Sequence, residues 1–255
     1  MDYSKLIPLG KLKRVLLIAL LVVFACEEKE DIPPIVDENS DGYDDGDIQF
    51  LQKLIDNSSE TINMDMDDNG NGLIEPLELG SQQWEEGRLN HLFCFSDGFS
   101  GEIPSEIGNL TNLTILSLFN NDFTGSIPSE IGNLNNLIEL SLGNNQLTGS
   151  IPSEICNLTN LTVLNLMTNQ LSGSIPPEIG NLTNLTNLSL IDNQLTGSIP
   201  SEICNLTNLF SWESVGLPPV IFGISNNRFC PPYPSCIVEG YWNFNLETQD
   251  TTNCD

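Results

Sequence analysis

Oxygen-bearing groups recur at alternate positions between residues 67 and 78, a spacing that could hold a metal ion. Gly72 lies in the middle of the segment, where it would permit a sharp turn, and a carboxylate closes it. Carboxylates, side-chain amides and a backbone carbonyl in this order are the hard oxygen ligands that Ca²⁺ prefers. The candidate ligands are Asp67, Asn69, Asn71, the Leu73 carbonyl, Glu75 and Glu78.

This segment resembles the calcium loop of EF-hand proteins, which has the same order of ligands and glycine, and an apolar residue near its centre, here Ile74. The resemblance implies a weak Ca²⁺ site, because only Asp67 and Glu78 are charged at the main ligand positions. The alternative is an acidic, glycine-rich turn that joins two capping elements and binds no metal. Residues 37–45 begin in a similar way, but Ile48 stands where the closing carboxylate should be, so we interpret that run as a solvated tether.

A cysteine, Cys26, follows a basic segment and an apolar run. Residues 1–14 carry four basic side chains, and residues 15–25 are apolar but too few to span a membrane, which predicts a signal peptide over residues 1–25. The four residues that end at Cys26, VFAC, resemble a bacterial lipobox. This implies a lipid attached to Cys26 and a location on the outer membrane or cell surface. Ordinary secretion, with cleavage near residue 25, is the alternative.

Acidic residues dominate the charge of the chain. Thirty-five Asp and Glu side chains against eight Lys and Arg give a formal net charge of −27. Such a surface repels nucleic acid and anionic membranes, so we expect no nucleic-acid partner and contact with a membrane only through a lipid anchor. The single histidine, His91, does not belong to a recognisable set of nucleophile, base and orienting residue. We therefore predict a protein that is not an enzyme and has no organic cofactor.

A repeated segment of 24 residues must position these groups. It starts at Leu110 and returns at Leu134, Leu158 and Leu182. Alternating apolar and polar residues around Leu116 predict a short strand with one buried face, which a single copy cannot cover alone. Stacked copies would share one core, so the period predicts a solenoid. A column of asparagines could bond the backbone of successive turns, and its members are Asn121, Asn145, Asn169 and Asn193.

The repeat, LxxLxLxxNxLxGxIPxxIGNLxN, resembles the plant-type leucine-rich repeat over residues 89–229. That family includes the polygalacturonase-inhibiting proteins and the ectodomains of receptor kinases. The resemblance implies an α/β solenoid with parallel strands on its concave face and short helical or 3-10 turns on its convex face. A cap is expected at each end, because the terminal repeats depart from the consensus.

Five segments are expected along the chain. They are a signal peptide (1–25), an acidic tether (26–46), an N-terminal cap (47–88) that includes the EF-hand-like loop (67–78), the repeats (89–229) and a cysteine-containing C-terminal cap (230–255). The tether has too few apolar residues to fold alone. Ten residues are inserted into the last repeat, before its ladder residue Asn227.

Six cysteines follow Cys26. Cys94 takes a core leucine position, and Cys156 lies two repeats, roughly 10 Å, from the next cysteine in its column, too far for a bridge. Both are expected to be buried thiols. The candidates for disulfides are Cys204, Cys230, Cys236 and Cys254, which allow three connectivities. The run CPPYPSC resembles the disulfide-closed caps of secreted leucine-rich repeat proteins. Our first prediction is a Cys230–Cys236 bridge, with Cys254 free or joined to Cys204.

Residues that point outward from the predicted strands form two columns. Within each column, successive residues are one period of the repeat apart. The candidate ligand-binding residues in these columns are Phe95, Phe119, Met167, Ile191, His91, Ile115, Glu139 and Val163. The first column is apolar but is interrupted at Gly143. An apolar stripe on a rigid sheet favours a protein or peptide partner, with carbohydrate, such as a polysaccharide, as the second choice.

These patterns predict an exported, monomeric binding or adhesion protein that recognises its partner through the concave sheet. One alternative is a structural surface element that is stabilised by calcium and has no discrete ligand. A further alternative is an enzyme inhibitor. The binding protein and the structural element differ in whether the apolar column is needed for the interaction.

Overall fold

The computed structural model describes residues 38, 41–58, 61–68, 70, 72–210, 222–238, 249–252 and 254. Cys26, Asn69 and Asn71 lie outside the described residues, as do the predicted signal peptide and most of the predicted tether. Among the described residues we find no helix that combines the length and the hydropathy of a membrane span.

Twelve strands are described, and seven of them form the main sheet. In chain order they are β1 (Ser81–Glu85), β2 (Arg88–Phe93), β3 (Ser100–Glu102), β4 (Ile115–Ser117), β5 (Asp122–Thr124), β6 (Glu139–Ser141), β7 (Val163–Asn165), β8 (Ser172–Gly173), β9 (Asn187–Ser189), β10 (Gln194–Ser198), β11 (Phe222–Gly223) and β12 (Arg228–Cys230). The main sheet has the order β1-β2-β4-β6-β7-β9-β11, so β6 is its central strand. Strands β1 and β2 are antiparallel, and the later pairs are parallel.

The parallel strands pair at intervals of one repeat. Leu116 pairs with Leu140, Leu140 with Leu164, and Leu164 with Leu188, a step of 24 residues. Leu188 then pairs with Phe222, a step of 34, as the ten-residue insertion in the last repeat predicts. The four leucines are at most 1% exposed, so every repeat buries the same side chain.

A short 3-10 helix closes the convex side of each repeat. The five convex turns are Ser105–Asn109, Ser129–Asn133, Ser153–Asn157, Pro177–Asn181 and Ser201–Asn205. A proline precedes each turn with φ between −63° and −68°, the value that its ring imposes. Two smaller sheets, β3-β5 and β12-β10-β8, lie between the main strands and these turns in the chain. The predicted α/β solenoid is therefore confirmed.

The asparagine ladder joins consecutive repeats. The side-chain oxygen of Asn145 accepts the N–H of Phe123 at 3.1 Å, and its amide nitrogen donates to the carbonyls of Leu118 and Leu142, both at 3.0 Å. Equivalent bonds recur in each repeat, and these side chains are all buried. The ladder residues are Asn121, Asn145, Asn169, Asn193 and Asn227.

Gln249 occupies the position that the next ladder asparagine would have. Its side-chain oxygen accepts the N–H of Phe229 at 3.3 Å, and its nitrogen donates to the carbonyl of Ile224 at 2.9 Å. These are the two bonds that a following repeat would supply. The residue comes from the C-terminal cap, and the spacing of the repeat gives no sign of it.

An N-terminal helix and a hairpin cover the first repeat. Helix α1 (Asp45–Ser58) buries Phe50, Leu51 and Leu54. Strands β1 and β2 are joined by Glu86 and Gly87, both with positive φ (50° and 77°), as in a tight two-residue hairpin turn. Strand β1 therefore occupies the N-terminal edge of the sheet. Two further 3-10 helices, Met64–Met66 and Pro76–Glu78, lie between α1 and β1, and a third, Thr207–Phe210, follows the last convex turn.

Arg88 is a buried cation that ties this cap to the first repeat. Its Nε and Nη2 atoms donate to the two carboxylate oxygens of Asp47 at 3.0 and 3.3 Å. Nη2 also donates to the carbonyl of Asn109 at 3.0 Å and to the hydroxyl of Thr111 at 3.1 Å. Asp47 accepts the N–H of Leu89 at 2.8 Å. One ion pair thus connects α1, β2 and the first convex turn.

Two disulfides close the C-terminal cap, and they join the four predicted cysteines. The pairs are Cys204–Cys236 and Cys230–Cys254, with Cα separations of 5.7 and 5.5 Å. The predicted Cys230–Cys236 bridge is wrong, and Cys254 is neither free nor joined to Cys204. Cys94 and Cys156 are buried free thiols, as predicted.

The physical reason for the pairing lies in the last convex turn. In the same column, a Cβ on Gly132 would lie 2.8 Å from the Glu154 carbonyl of the next repeat, so side chains there meet another turn. Cys204 faces helix α2 (Ser235–Val238) instead, because no further repeat follows in the array. The proline-rich run after Cys230 carries the chain from the strand to this helix and separates Cys230 from Cys236.

Candidate functional site

The strand register aligns one of the two predicted outward columns, and backbone hydrogen bonds beyond the strands align the other. The Glu139 column consists of His91, Ile115, Glu139, Val163 and Asn187, each paired with the next across neighbouring strands. Leucines such as Leu140 point to the core, so these residues face the opposite, concave side. The apolar stripe, four residues further along each repeat, consists of Phe95, Phe119, Met167 and Ile191.

Phe95 and Phe119 begin the apolar stripe as a stacked pair. Their ring centroids lie 5.6 Å apart and their planes differ by 4°. Phe95 is 42% exposed, the most exposed large aromatic side chain among the described residues. Each ring covers one face of the other.

Gly143, which interrupts the predicted stripe, is buried. A Cβ built on Gly143 would lie 3.0 Å from Met167 Cγ and 3.1 Å from Phe119 Cε2. Side chains from both flanking repeats therefore cover this glycine, together with the Asn165 amide oxygen, which lies 2.9 Å from the same Cβ. We call this place the Gly143 saddle. The sequence did not predict this coverage, because a residue without a side chain suggests a gap in the stripe. In this sheet, the small size of Gly143 lets larger side chains from the two flanking repeats extend over it.

The stripe ends in the same way at the C-terminal side. A Cβ on Gly223 would lie 2.6 Å from Ile191 Cγ1, so Ile191 covers this glycine of β11. Beside it lies Ser189, which is buried, and its Oγ is the one buried side-chain N or O atom in the described region without a hydrogen-bond partner. Ile115, by contrast, is only 7% exposed and offers little surface.

The two titratable residues of the Glu139 column are both shifted toward their neutral forms. Burial raises the pKa of Glu139. Burial also lowers the pKa of His91, and the nearby Glu85 carboxylate opposes that shift. Lost hydration disfavours the charged form of each residue, so both side chains are partly removed from water within the folded chain.

A polar rim runs beside the apolar stripe. Asn144 donates to the side-chain oxygen of Asn120, and Asn120 donates to the hydroxyl of Ser96. These three residues have φ between 56° and 60° and turn the chain out of the strands. With Asp122 and Gln146 they line a depression of about 410 Å³. The sequence does carry a signal of this rim, since a polar residue directly follows each residue of the stripe.

The EF-hand-like loop lies in the N-terminal cap, away from the strand columns in the chain. The carboxylate of Asp67 accepts the N–H groups of Gly70 at 2.7 Å and Gly72 at 2.8 Å. Glu78 accepts the N–H of Glu75 at 3.0 Å. The described residues contain no group of three His, Cys, Asp or Glu side chains that could hold a metal.

The donor types in this loop still fit a hard cation. Leu73, whose carbonyl was predicted to be a ligand, is exposed, and Ile74 packs into the core and anchors the loop. The two predicted amide ligands, Asn69 and Asn71, are outside the described residues. Calcium binding therefore stays a prediction.

Parallel strands at a fixed 24-residue register, with a buried asparagine ladder and proline-led convex turns, define a leucine-rich repeat solenoid. Residues 94–213 match the family described as a leucine-rich repeat region. A chain of the BIR3–SERK2 complex from Arabidopsis thaliana is 31% identical, with 74% of this chain and 96% of that chain covered and a TM-score of 0.52. The chain belongs to the leucine-rich repeat family.

Longer plant receptors are similar over part of their length. The plant peptide hormone receptor RGFR1, in complex with RGF2, is 46% identical over 55% of this chain and 21% of that chain, with a TM-score of 0.50. The PEPR1–AtPEP1 structure is 28% identical over 75% of this chain and 26% of that chain, with a TM-score of 0.64. This chain spans 21–23% of the first receptors it matches. A comparison with curated proteins found no significant match.

Proposed function

We propose that this chain is an exported, non-enzymatic binding protein that holds a protein or peptide segment against the apolar stripe of its concave sheet. The observation that carries the proposal is the continuity of the stripe across the Gly143 saddle. Contiguous exposed apolar surface on a monomeric protein favours a partner. The similar receptor RGFR1 was solved in complex with RGF2 and is described as a peptide hormone receptor, which supports a peptide ligand.

Carbohydrate remains the second choice, and the aromatic pair argues against it. Sugars bind aromatic side chains by lying on the faces of the rings, and the stacking of Phe95 on Phe119 covers one face of each ring and so reduces the area open to a sugar. Ring edges and a flexible methionine are better suited to the varied side chains of a polypeptide.

Replacement of both Phe119 and Met167 by serine should abolish specific binding. Peptides selected from a phage-displayed library of random linear peptides on the wild-type chain should lose about 30-fold or more in affinity, because the two side chains form the centre of the stripe. Val238→Ser is the matched control, since Val238 is an exposed apolar residue of α2. Equal binding by all three proteins would favour the structural alternative, a surface element without a discrete ligand. If the chain is an enzyme inhibitor that acts through this stripe, the same variant should lose its inhibition of the enzyme.

We also propose that the chain is anchored by a lipid on Cys26 at the cell surface. The motif around Cys26 supports this, and the two disulfides are typical of an extracellular compartment. Intact mass of the exported protein should show a chain that starts at Cys26 and carries a diacylglyceryl group. A chain that starts near residue 25 without a lipid would instead indicate a released protein.

Calcium binding to the EF-hand-like loop is proposed as a stabilising feature of the N-terminal cap. Titration calorimetry of the exported chain should give about one Ca²⁺ per chain, with a Kd of about 10⁻⁴–10⁻³ M because the site has few charged ligands. Asp67→Ala should remove the signal, whereas Asp68→Ala, at a position that is not a ligand in such loops, should retain it. No heat at millimolar calcium would show that the segment is only an acidic turn.

A further inference from the structure

Glu139 is a carboxylate in the middle of the binding face, on the central strand β6. Its neighbours in register are Ile115 on β4 and Val163 on β7, so aliphatic side chains flank it on both sides. Its side chain is half-buried, and burial alone accounts for the shift in its pKa. In the described part of the chain, no hydrogen bond or ion pair satisfies this carboxylate.

Half-burial of an unpaired carboxylate is unfavourable, since water is removed and no cation replaces it. A surface that has evolved only for solubility would carry its charge at the exposed convex turns, where Glu130 lies. A carboxylate at the centre of an apolar face is better explained if a ligand supplies the missing partner.

No described basic side chain is available for that role. Lys53 pairs with Glu106 in the N-terminal cap, Arg88 with Asp47, and Arg228 with Asp250 at 4.0 Å in the C-terminal cap. The rim beside the stripe adds exposed carboxylates, Asp122 and Asp192, and the described concave face has no Lys or Arg. The electrostatic potential of this face is therefore complementary to a cationic ligand.

We propose that the ligand is a basic polypeptide, with a lysine or arginine side chain that pairs with Glu139 and an apolar side chain that occupies the Gly143 saddle. This rests on the proposed function of the concave sheet and names the chemistry of its partner. Glu139 and Gly143 are four residues apart on one strand and its extension, about 13 Å at 3.3 Å per residue. Ser141 lies between them, so the ligand backbone can pass over a small polar side chain.

An extended ligand that runs along β6 would place its basic residue about four positions from its apolar anchor, because both chains have the same rise per residue. An anionic ligand, such as an acidic polysaccharide or a phosphorylated peptide, finds no cation on the described face. Such a ligand is an outcome of the test and not part of the proposal.

The test uses the exported chain and a phage-displayed library of random linear peptides as the probe. Peptides selected on the wild type should be enriched in lysine or arginine together with an aromatic or aliphatic residue. Their affinity for Glu139→Gln should fall by about tenfold, since the isosteric amide removes one desolvated charge pair. Glu130→Gln, the same change on an exposed convex turn, should leave affinity within about twofold of the wild type.

A double-mutant cycle makes the test specific to the pair. Replacement of the peptide's basic residue by glutamine should weaken binding to the wild type but have little further effect on Glu139→Gln. Affinity for the wild type should also rise with pH through the raised pKa of Glu139, because the ligand binds the ionised form. This dependence should be much reduced in Glu139→Gln, since β4 and β7 carry no other titratable side chain at that level and His91, the other titratable residue of the column, lies two strands away on β2.

Two results would overturn the inference: selected peptides without basic residues, or equal affinity for the wild type and Glu139→Gln. The stripe variant Phe119→Ser/Met167→Ser separates this failure from that of the proposed function. If the stripe variant loses binding and Glu139→Gln does not, only the charge pairing is wrong. If neither change weakens binding, the concave face is not the binding site. Thermal unfolding of each variant checks that the fold is retained.

Discussion

Replacement of Arg88 by alanine is expected to lower the free energy of unfolding by about 3–5 kcal/mol, because it leaves a buried carboxylate without its cation. Arg88 is 4% exposed and Asp47 is fully buried, and their two hydrogen bonds are 3.0 and 3.3 Å long. The same change removes the contacts with Asn109 and Thr111. Urea unfolding of wild type and variant, followed by circular dichroism, measures the loss.

Arg228→Ala is the control for this experiment. Arg228 and Asp250 form an ion pair at 4.0 Å with about half of each side chain exposed, so its loss should change stability far less than the loss of Arg88. The double variant Asp47→Leu/Arg88→Met should recover part of the stability lost in Arg88→Ala, since it removes the fully buried Asp47 carboxylate together with its cation. Recovery is expected to be incomplete, because the buried Asp44 carboxylate, 3.6 Å from Arg88 Nε, also loses this cation. Equal losses for Arg88→Ala and Arg228→Ala would contradict the central role of the buried pair.

Replacement of Asn145 by alanine should lower the free energy of unfolding by about 2–4 kcal/mol. The change leaves the N–H of Phe123 unpaired in the core and removes the donations to Leu118, Leu142 and Gly143. The first two carbonyls retain a second amide donor, from Asn121 and Asn169, which limits the loss. Urea unfolding of the variant measures this change as well.

The neighbouring residue Gln146 offers a matched comparison for the ladder. It is exposed, and its amide donates to the carboxylate of Asp122 at 2.8 Å. Gln146→Ala should change stability by less than about 0.5 kcal/mol. A similar loss in both variants would indicate that the buried ladder amides contribute no more to stability than an exposed amide does.

The repeated part of the molecule could be predicted almost residue by residue. The pairing of Leu140 with Leu164, the burial of Asn169 and the concave position of Val163 all follow from one period. Each repeat buries its strand against a copy of itself, so the side-chain contacts between one pair of repeats recur between every following pair. The same rule identified Phe119 and Met167 as members of one column.

The candidate site was only partly predictable for the same reason. The period assigns a side chain to a column but says nothing of how far it leans toward the next repeat. The coverage of Gly143 by Phe119 and Met167 depends on their conformations. The burial of Ile115 and the unpaired state of Glu139 likewise depend on the side chains that surround them in the folded protein. Their position in the repeat does not determine either property.

From the sequence alone come the solenoid, the strand register, the asparagine ladder, the concave columns and the identity of the four bridging cysteines. These depend on spacing along the chain. Only the tertiary structure decided the Cys204–Cys236 and Cys230–Cys254 pairing, the placement of Gln249 at the end of the ladder and the coverage of Gly143 within the stripe. The physical reason is that the C-terminal end has no following repeat to copy, and that side-chain conformations on the surface are not fixed by the repeat. The contacts at these places join segments that are far apart in the chain, and no local sequence pattern predicts them.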